Sequence, residues 1–205
     1  MIQEEHKPIL ELIRLKVLDM KTVDLSFENL SQIPEMPIEK LKQFVSTPEE
    51  LVEKLLEHEL GKFSDILIDI DHDSMNAIDA LLKISIRISE RFFEIFPSVS
   101  PQLKLRYPIP YQTQFQKRLS FVSEKIRINL REGIEQQLYR SDLSTELIAR
   151  LYISRLIDIH NPELFPLATF SFEVLFNQMF ESLIRSIATS EGLSYFEQRK
   201  KFYSL

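Results

Sequence analysis

The segment SFENLSQIPEMPIEKLKQFVSTPEEL, residues 26–51, limits the possible folds most strongly. Its prolines divide it into two short helices and the start of a third. Ser26 is a favourable N-cap residue, since its side chain can accept a hydrogen bond from a free backbone N–H of the first turn. Apolar side chains then recur at helical spacing until a proline that cannot continue the helix. These residues are Phe27, Leu30, Ile33 and Pro34. The pattern predicts a short helix followed by a tight turn.

A second short helix is predicted after this turn. Pro37 is tolerated at the first position of a helix, and the inward face would consist of Ile38, Leu41 and Val45. Thr47 and Glu50 then have the spacing of a capping box, which predicts a long third helix from Pro48. Two short helices, a turn and a capped long helix are typical of a helix-turn-helix unit, whose second helix normally enters the DNA major groove.

The same segment resembles the head of TetR-type transcriptional regulators. The positions that agree in kind with the pattern of that family are Ser26, Phe27, Leu30, Leu41, Thr47, Glu49 and Leu51. The positions that depart from it are Pro34, Glu35, Lys42, Val45 and Pro48. Near the other end, RSIATSEGL at 185–193 resembles the Arg-Gly-Ile-Ala-Thr-Pro-x-Gly close of some of these regulators. The resemblance implies a homodimer that binds double-stranded DNA and responds to a small-molecule ligand.

The remainder of the chain is predicted to be helical. Three glycines in 205 residues argue against β-rich folds and phosphate-binding loops, and the absence of cysteine excludes disulfides and thiolate metal sites. Apolar residues at helical spacing predict further helices near residues 2–20, 48–69, 74–96, 111–139, 143–160 and 167–188, with room for a short helix near 102–106. We therefore expect an all-α fold of about nine or ten helices. A helix-turn-helix domain would occupy residues 1–47, and a helical ligand-binding and dimerisation domain residues 48–205.

The candidate DNA contacts lie in and after the second short helix. The residues expected to contact DNA are Lys40, Lys42, Gln43 and Thr47. Lysine can bind phosphate or guanine, and glutamine can read a base edge. Residues 1–60, however, contain seven Lys and Arg against thirteen Asp and Glu, so they hold the whole net charge of −6. Because phosphate contacts supply most non-specific affinity, this charge favours an alternative, a ligand-binding or interaction dimer whose head no longer binds DNA.

The predicted helix at 167–188 is apolar on more than one side. One face consists of Phe172, Phe176, Met179, Leu183 and Ile187. A helix of this kind must be covered on more than one side, and in a chain of this size a second copy is the expected cover. The prediction is a two-fold four-helix interface formed with residues 143–160. The alternative is a central helix buried within one monomer.

Aromatic side chains in the predicted body mark a candidate ligand pocket, as the resemblance implies. They are Phe92, Phe96, Tyr107, Tyr111 and Phe115. Aromatic walls with a few hydroxyl groups suit a small apolar ligand held by one or two hydrogen bonds. An aromatic stripe at helical spacing is more often simply part of a hydrophobic core.

Motifs for catalysis, metal binding and membrane insertion are missing from the sequence. There is no nucleophile elbow, zinc helix or phosphate loop, so we expect no enzyme activity and no catalytic residues. The acidic stretch at 69–73 lacks the glycine and the final glutamate of a calcium loop, since Ser74 and Ala80 occupy those positions. We expect no metal and no cofactor. Without an apolar run of about 18 residues, we expect no membrane span and a cytoplasmic protein.

Overall fold

A computed structural model shows the predicted all-α chain. The structure describes residues 3–18, 24–34, 36–68, 75–95, 100–159, 161, 163–166 and 168–203. Its helices are α1 (Lys7–Leu18), α2 (Phe27–Leu30), α3 (Ile38–Leu41), α4 (Pro48–Ile68), α5 (Ala77–Ile95), α6 (Ser100–Arg106), α7 (Pro108–Glu135), α8 (Thr145–Asp158), α9 (Phe172–Ile187) and α10 (Ser190–Tyr203). Across these ranges no helix is both long and apolar enough to cross a membrane.

Side-chain caps fix the helix starts of the head. The Ser26 hydroxyl accepts a hydrogen bond from the backbone N of Asn29 at 3.3 Å, and Thr47 Oγ1 accepts one from the backbone N of Glu50 at 3.1 Å. The Glu50 carboxylate in turn accepts a hydrogen bond from the backbone N of Ser46 at 2.7 Å. The predicted capping of α2 and α4 is therefore confirmed.

Three helices differ in extent from their predictions. α3 is a single turn, and residues 42–44 that follow it adopt a turn conformation, so the second short helix is shorter than expected. α7 begins at Pro108 rather than near residue 111. Proline is tolerated in the first turn, because the backbone N–H groups of that turn make no hydrogen bond within the helix. α9 begins after residue 171, later than predicted, because the Ser171 side chain caps it through the backbone N of Val174.

The first of two compact units contains residues 1–65 and 92–118. Its core combines side chains of the head with side chains of α4 and α6. They are Ile9, Leu10, Ile13, Leu25, Leu30, Leu41, Val45, Leu51, Val52, Leu55, Leu56, Leu103 and Tyr107. Since α4 completes the core of the head, a change in the position of α4 would act directly on α1–α3. The predicted domain boundary at residue 47 stays a prediction.

The second unit contains residues 66–91 and 119–205, including α8–α10. The Asp79 carboxylate anchors α10 to α5, since it accepts hydrogen bonds from the Tyr195 hydroxyl at 2.5 Å and from Arg199 Nε at 2.7 Å. The turn after α7 is held by the start of α10, where the Thr189 backbone N donates to the Leu138 carbonyl at 2.9 Å. These bonds fix both ends of the last helix.

Candidate functional site

All four predicted DNA contacts of the helix-turn-helix segment are exposed, and three of their side chains make no hydrogen bond that caps a helix. Lys40, Lys42 and Gln43 are exposed at the end of α3 and in the turn after it. Lys42 Nζ lies 6.0 Å from the ring centroid of Phe27, which places this lysine beside α2. Thr47 is also exposed, but its hydroxyl oxygen is already used in capping α4. Lys40 and Gln43 are the side chains that can extend outward from the head.

The cations of the head are largely paired with acidic residues. Arg14 is buried and donates to the Glu11 carboxylate at 2.7 Å. Lys42 Nζ lies 3.8 Å from the Glu39 carboxylate. Within the described part of residues 1–60, only Lys16 and Lys40 have no acidic partner. Exposed pairs add little stability, but each reduces the positive potential that DNA phosphates would meet.

A small cavity lies in the first unit between α4 and α7. It is lined by Leu56, Glu59, Leu60, Tyr111, Gln114, Phe115 and Arg118. Its volume of about 30 Å³ is enough for about two water molecules and far below the roughly 300–1,000 Å³ of pockets that enclose drug-sized ligands. In this conformation the cavity can accept a polar group, but not a whole apolar ligand.

Two of the five predicted pocket residues line this cavity. Tyr111 and Phe115 stack along α7, with ring centroids 6.0 Å apart. Tyr107 instead lies in the core of the first unit, and its hydroxyl accepts a hydrogen bond from the backbone N of Leu25 at 3.2 Å. The backbone of Phe92 belongs to α5, but its side chain lies outside the described part of the chain, as does Phe96.

The polar wall of the cavity consists of side chains that the sequence did not single out. Glu59 is 4% exposed and Gln114 is 7% exposed. The Oε1 atom of each is buried without a hydrogen-bond partner. Burial raises the pKa of Glu59 to about 7, although the charge of Arg118 acts in the opposite direction. The Arg118 guanidinium lies 4.8 Å from the ring centroid of Phe63, a cation–π contact, and burial lowers its pKa.

A charge network next to this cavity connects the head to α4. The Glu11 carboxylate of α1 lies 3.2 Å from His58 Nε2 and 3.2 Å from Lys62 Nζ, both on α4. The hydrogen bond from Arg14 holds the pKa of Glu11 at about 2, against the opposing effect of burial. Burial also lowers the pKa of His58, although its hydrogen bond to Glu11 opposes that shift. The charges of Arg14, Lys62 and Glu11 in this network also act on the pKa of Glu59.

A polar residue on an apolar stripe was the signal that could have identified this wall. Glu59 follows Leu55 by four residues and precedes Phe63 by four, so all three share one face of α4. On α7, Gln114 and Arg118 have the same spacing. A charged residue at an inward position is costly unless it is paired, so such positions are candidate sites.

The five predicted interface residues of α9 are buried within the single chain. Phe172, Phe176, Met179, Leu183 and Ile187 are all at most 8% exposed. This burial agrees with the alternative in which that face is covered within one monomer. The large apolar side chains that α8, α9 and the loop between them expose are Leu147, Leu151, Ile157, Leu164, Phe170 and Val174. The dimer interface stays a prediction, and these residues are the exposed apolar surface of this part of the chain.

Comparisons with known proteins identify the fold. No protein-family model matches the sequence, and no curated protein matches it. Solved structures match over nearly the whole chain. A transcriptional regulator from Cytophaga hutchinsonii ATCC 33406 has a TM-score of 0.70 at 16% identity, with 91% of this chain and 100% of that chain covered. A TetR-family regulator from Agrobacterium tumefaciens has a TM-score of 0.67 at 12% identity, with the same coverage.

A third match is the TetR transcriptional regulator from Legionella pneumophila, with a TM-score of 0.64 at 15% identity over 91% of this chain and 98% of that chain. The chain therefore has the all-α fold of TetR-family transcriptional regulators. The resemblance predicted from the two ends of the sequence is confirmed at the level of the fold.

Proposed function

We propose that this chain is a transcriptional regulator, a homodimer that binds double-stranded DNA through residues 26–51 and responds to a small ligand in its body. The observation that supports this proposal is the fold, which matches solved transcriptional regulators over 91% of the chain. Those proteins are regulators rather than enzymes, and we propose no reaction for this chain.

Lys40 is the main candidate phosphate contact. It is exposed at the end of α3, and among the described residues it has no acidic partner. Lys42 shares its charge with Glu39, so it would contribute less, and Gln43 can reach a base edge. Because α3 is one turn long, the contacts would come from this turn rather than from a long recognition helix.

The ligand response is assigned to the cavity between α4 and α7. Leu51 and Leu55 of α4 lie in the core of the head, and Leu56 belongs to both that core and the cavity wall. A ligand that enlarges the cavity would therefore displace the helix on which the head packs. This is a helix shift of the kind that transmits many regulatory changes.

Fluorescence anisotropy with labelled DNA from upstream of the gene, titrated at low and moderate salt beside a scrambled duplex, tests DNA binding. We expect tighter, salt-sensitive binding to the upstream DNA. Lys40→Glu combined with Lys42→Glu should abolish it, because both phosphate contacts become repulsive. The matched control is Lys104→Glu with Lys117→Glu, two exposed lysines outside the helix-turn-helix segment that carry the same change in net charge.

Equal losses in the two double variants would reject the contact assignment, since general charge alone would then explain them. The second candidate function is a ligand-binding dimer whose head does not bind DNA. The pairing of Arg14 and Lys42 with acidic residues favours it. A folded wild-type dimer that binds neither duplex at low salt would support this second function.

A further inference from the structure

Two residues that line the cavity between α4 and α7, Glu59 and Gln114, each have a buried acceptor atom without a donor. Glu59 Oε1 and Gln114 Oε1 are shielded from bulk water, and neither has a hydrogen-bond partner. A buried acceptor left without a donor costs roughly 1–3 kcal/mol, so both oxygens are preset to bind a group that supplies N–H or O–H. The cavity, at about 30 Å³, has room for such a group.

The charges around Glu59 restrict the charge of that group. Three cations favour the ionised carboxylate, Arg118 on α7, Arg14 on α1 and Lys62 on α4, whereas Glu11 on α1 opposes it. Tyr111 on α7 is a neutral phenol whose pKa is raised by burial. A cationic ligand would add a positive charge where cations already outnumber anions. An anionic ligand could pair with Arg118 on the same wall, but it would supply no donor to the two acceptor oxygens and would place a second negative charge beside the ionised Glu59 carboxylate.

The rest of the wall is apolar. Leu56 and Leu60 of α4 and Phe115 of α7 surround the polar group pair. This lining favours a hydrocarbon body next to the donor group. A narrow chain suits the small volume better than a fused ring system.

We propose that this cavity binds a neutral amphipathic ligand, an alcohol or a primary amide, whose hydroxyl or N–H group donates hydrogen bonds to Glu59 Oε1 and Gln114 Oε1. The cavity as it stands admits the donor group, and the apolar body enters when Leu56, Leu60 and Phe115 move apart, which is the enlargement on which the proposed ligand response rests. The inference rests on the ligand response in the proposed function, and it adds the chemical class of the ligand. It is independent of whether the head binds DNA.

The test is an NMR titration of the ¹⁵N-labelled full-length protein, without DNA, with four probes that share a six-carbon chain. Hexan-1-ol and hexanamide are neutral donors, hexylammonium is a cation and hexanoate is an anion. We expect saturable shifts of the Gln114 side-chain amide with the two neutral probes only. Loss of one cross-peak pair in Gln114→Leu assigns this signal. In Gln114→Leu, which lacks this signal, backbone amide shifts of α7 report binding, and neutral-probe binding should be about tenfold weaker, as expected for one hydrogen bond.

A pH series adds a readout that packing alone does not produce. When Glu59 takes up a proton, it loses the negative charge that strengthens its hydrogen bonds and one of its oxygens becomes a hydroxyl group, so hexan-1-ol should bind up to about tenfold more weakly at pH 6 than at pH 8. Glu59→Gln keeps an acceptor oxygen but cannot titrate, so it should remove this pH dependence. Glu53→Gln, at an exposed position on the same helix, is the matched control and should retain it.

Three outcomes would overturn the inference. They are saturation by hexylammonium or hexanoate in preference to the neutral probes, neutral binding that Gln114→Leu and Glu59→Gln leave unchanged, and no saturable binding by any of the four. The first outcome would still support a ligand response with another ligand class. All three are independent of DNA binding, because the anisotropy assay measures that separately.

Discussion

Glu59 shows how one buried side chain can couple stability to pH. Its pKa is raised to about 7 by burial, from 4.5 for an exposed glutamate. Below pH 4.5 the carboxyl group is neutral in the folded and the unfolded chain, so it adds no pH dependence there. Between pH 4.5 and 7 only the unfolded chain loses the proton, so stability falls as pH rises. Above pH 7 the loss is constant, at about 3 kcal/mol by the relation between pKa and free energy.

Glu59→Gln should remove this loss. Between pH 5 and pH 8 the wild type should lose roughly 2–3 kcal/mol of unfolding free energy relative to Glu59→Gln. Urea denaturation at a series of pH values measures it. Because the variant also removes a charge that balances buried Arg118, the trend with pH is the test, rather than the value at one pH.

Glu53→Gln serves as the exposed control and should give a curve parallel to wild type. Glu11, whose pKa is held at about 2, affects stability in a lower window, where stability is lost as pH falls from about 4.5. The two effects therefore do not overlap. A Glu59→Gln curve parallel to wild type over pH 5–8 would show that Glu59 titrates normally.

Two helical glycines make opposite demands on their helices. A Cβ on Gly192, near the start of α10, would lie 2.1 Å from the Leu138 carbonyl oxygen, whereas a Cβ on Gly61, inside α4, would meet no atom within 4 Å. Gly192→Ala should therefore destabilise the protein by about 1–3 kcal/mol, because the backbone of the α7–α8 turn must move. Gly61→Ala should stabilise it by about 0.5–1 kcal/mol. At this helical position alanine fits without a clash, and it lowers the conformational entropy of the unfolded chain.

Thermal or urea unfolding of the two variants measures this contrast, and each variant is the control for the other. Destabilisation of similar size in both would contradict the close approach at Leu138. The hydrogen bond from the Gly192 backbone N to Thr189 Oγ1, at 3.0 Å, belongs to the same junction. Thr189 thus caps α10 at the point where glycine permits the approach.

Sequence reasoning succeeded for elements with strong local signals. Ser26 and Thr47 predicted the starts of α2 and α4, because capping depends on a few neighbouring residues. The start of α9 was missed because Leu167 and Phe170 extend its apolar pattern, whereas Ser171 is the residue that caps it. The one-turn length of α3 depends on how the turn after Leu41 packs, which spacing alone does not specify.

The candidate site was harder to predict, because it depends on which inward positions of different helices meet. Tyr111 and Phe115 were predicted to line a pocket because they are aromatic, and they line the cavity. Glu59 and Gln114 were missed because a polar residue on a stripe looks exposed until its partner helix is known. The dimer residues were chosen from the most regular face of α9, which the chain itself buries.

At the scale of the whole molecule, the fold and the surface charge give separate information. At identities of 12–16%, solved regulators still retain the fold of this chain over 91% of its length. That retention needs only apolar spacing and caps. DNA binding needs cations on the surface, and the first 60 residues hold the net charge of −6. The proposed regulator therefore rests on the fold, whereas the charge of the first 60 residues opposes its proposed DNA contacts.

The exposed apolar residues of the second unit lead to a prediction about assembly. α8 and α9 are in contact, and they expose Leu151 and Val174 at 50% and 60%. Leu151→Glu with Val174→Glu should convert the expected dimer to a monomer of 24.2 kDa, because a dimer interface would have to bury two unpaired carboxylates. Light scattering coupled to size-exclusion chromatography measures the mass.

The matched control is Leu105→Glu with Ile109→Glu, which adds the same charges at the highly exposed apolar positions of α6 and α7 in the first unit. It should leave the dimer intact. Dissociation by the control alone would move the interface to the first unit, and a monomeric wild type would reject the dimer.

Because a two-fold operator is read by two heads one helical turn apart, the monomeric variant should also lose most of its affinity for upstream DNA while its head stays folded. Retained affinity in a proven monomer would mean that each head binds DNA alone.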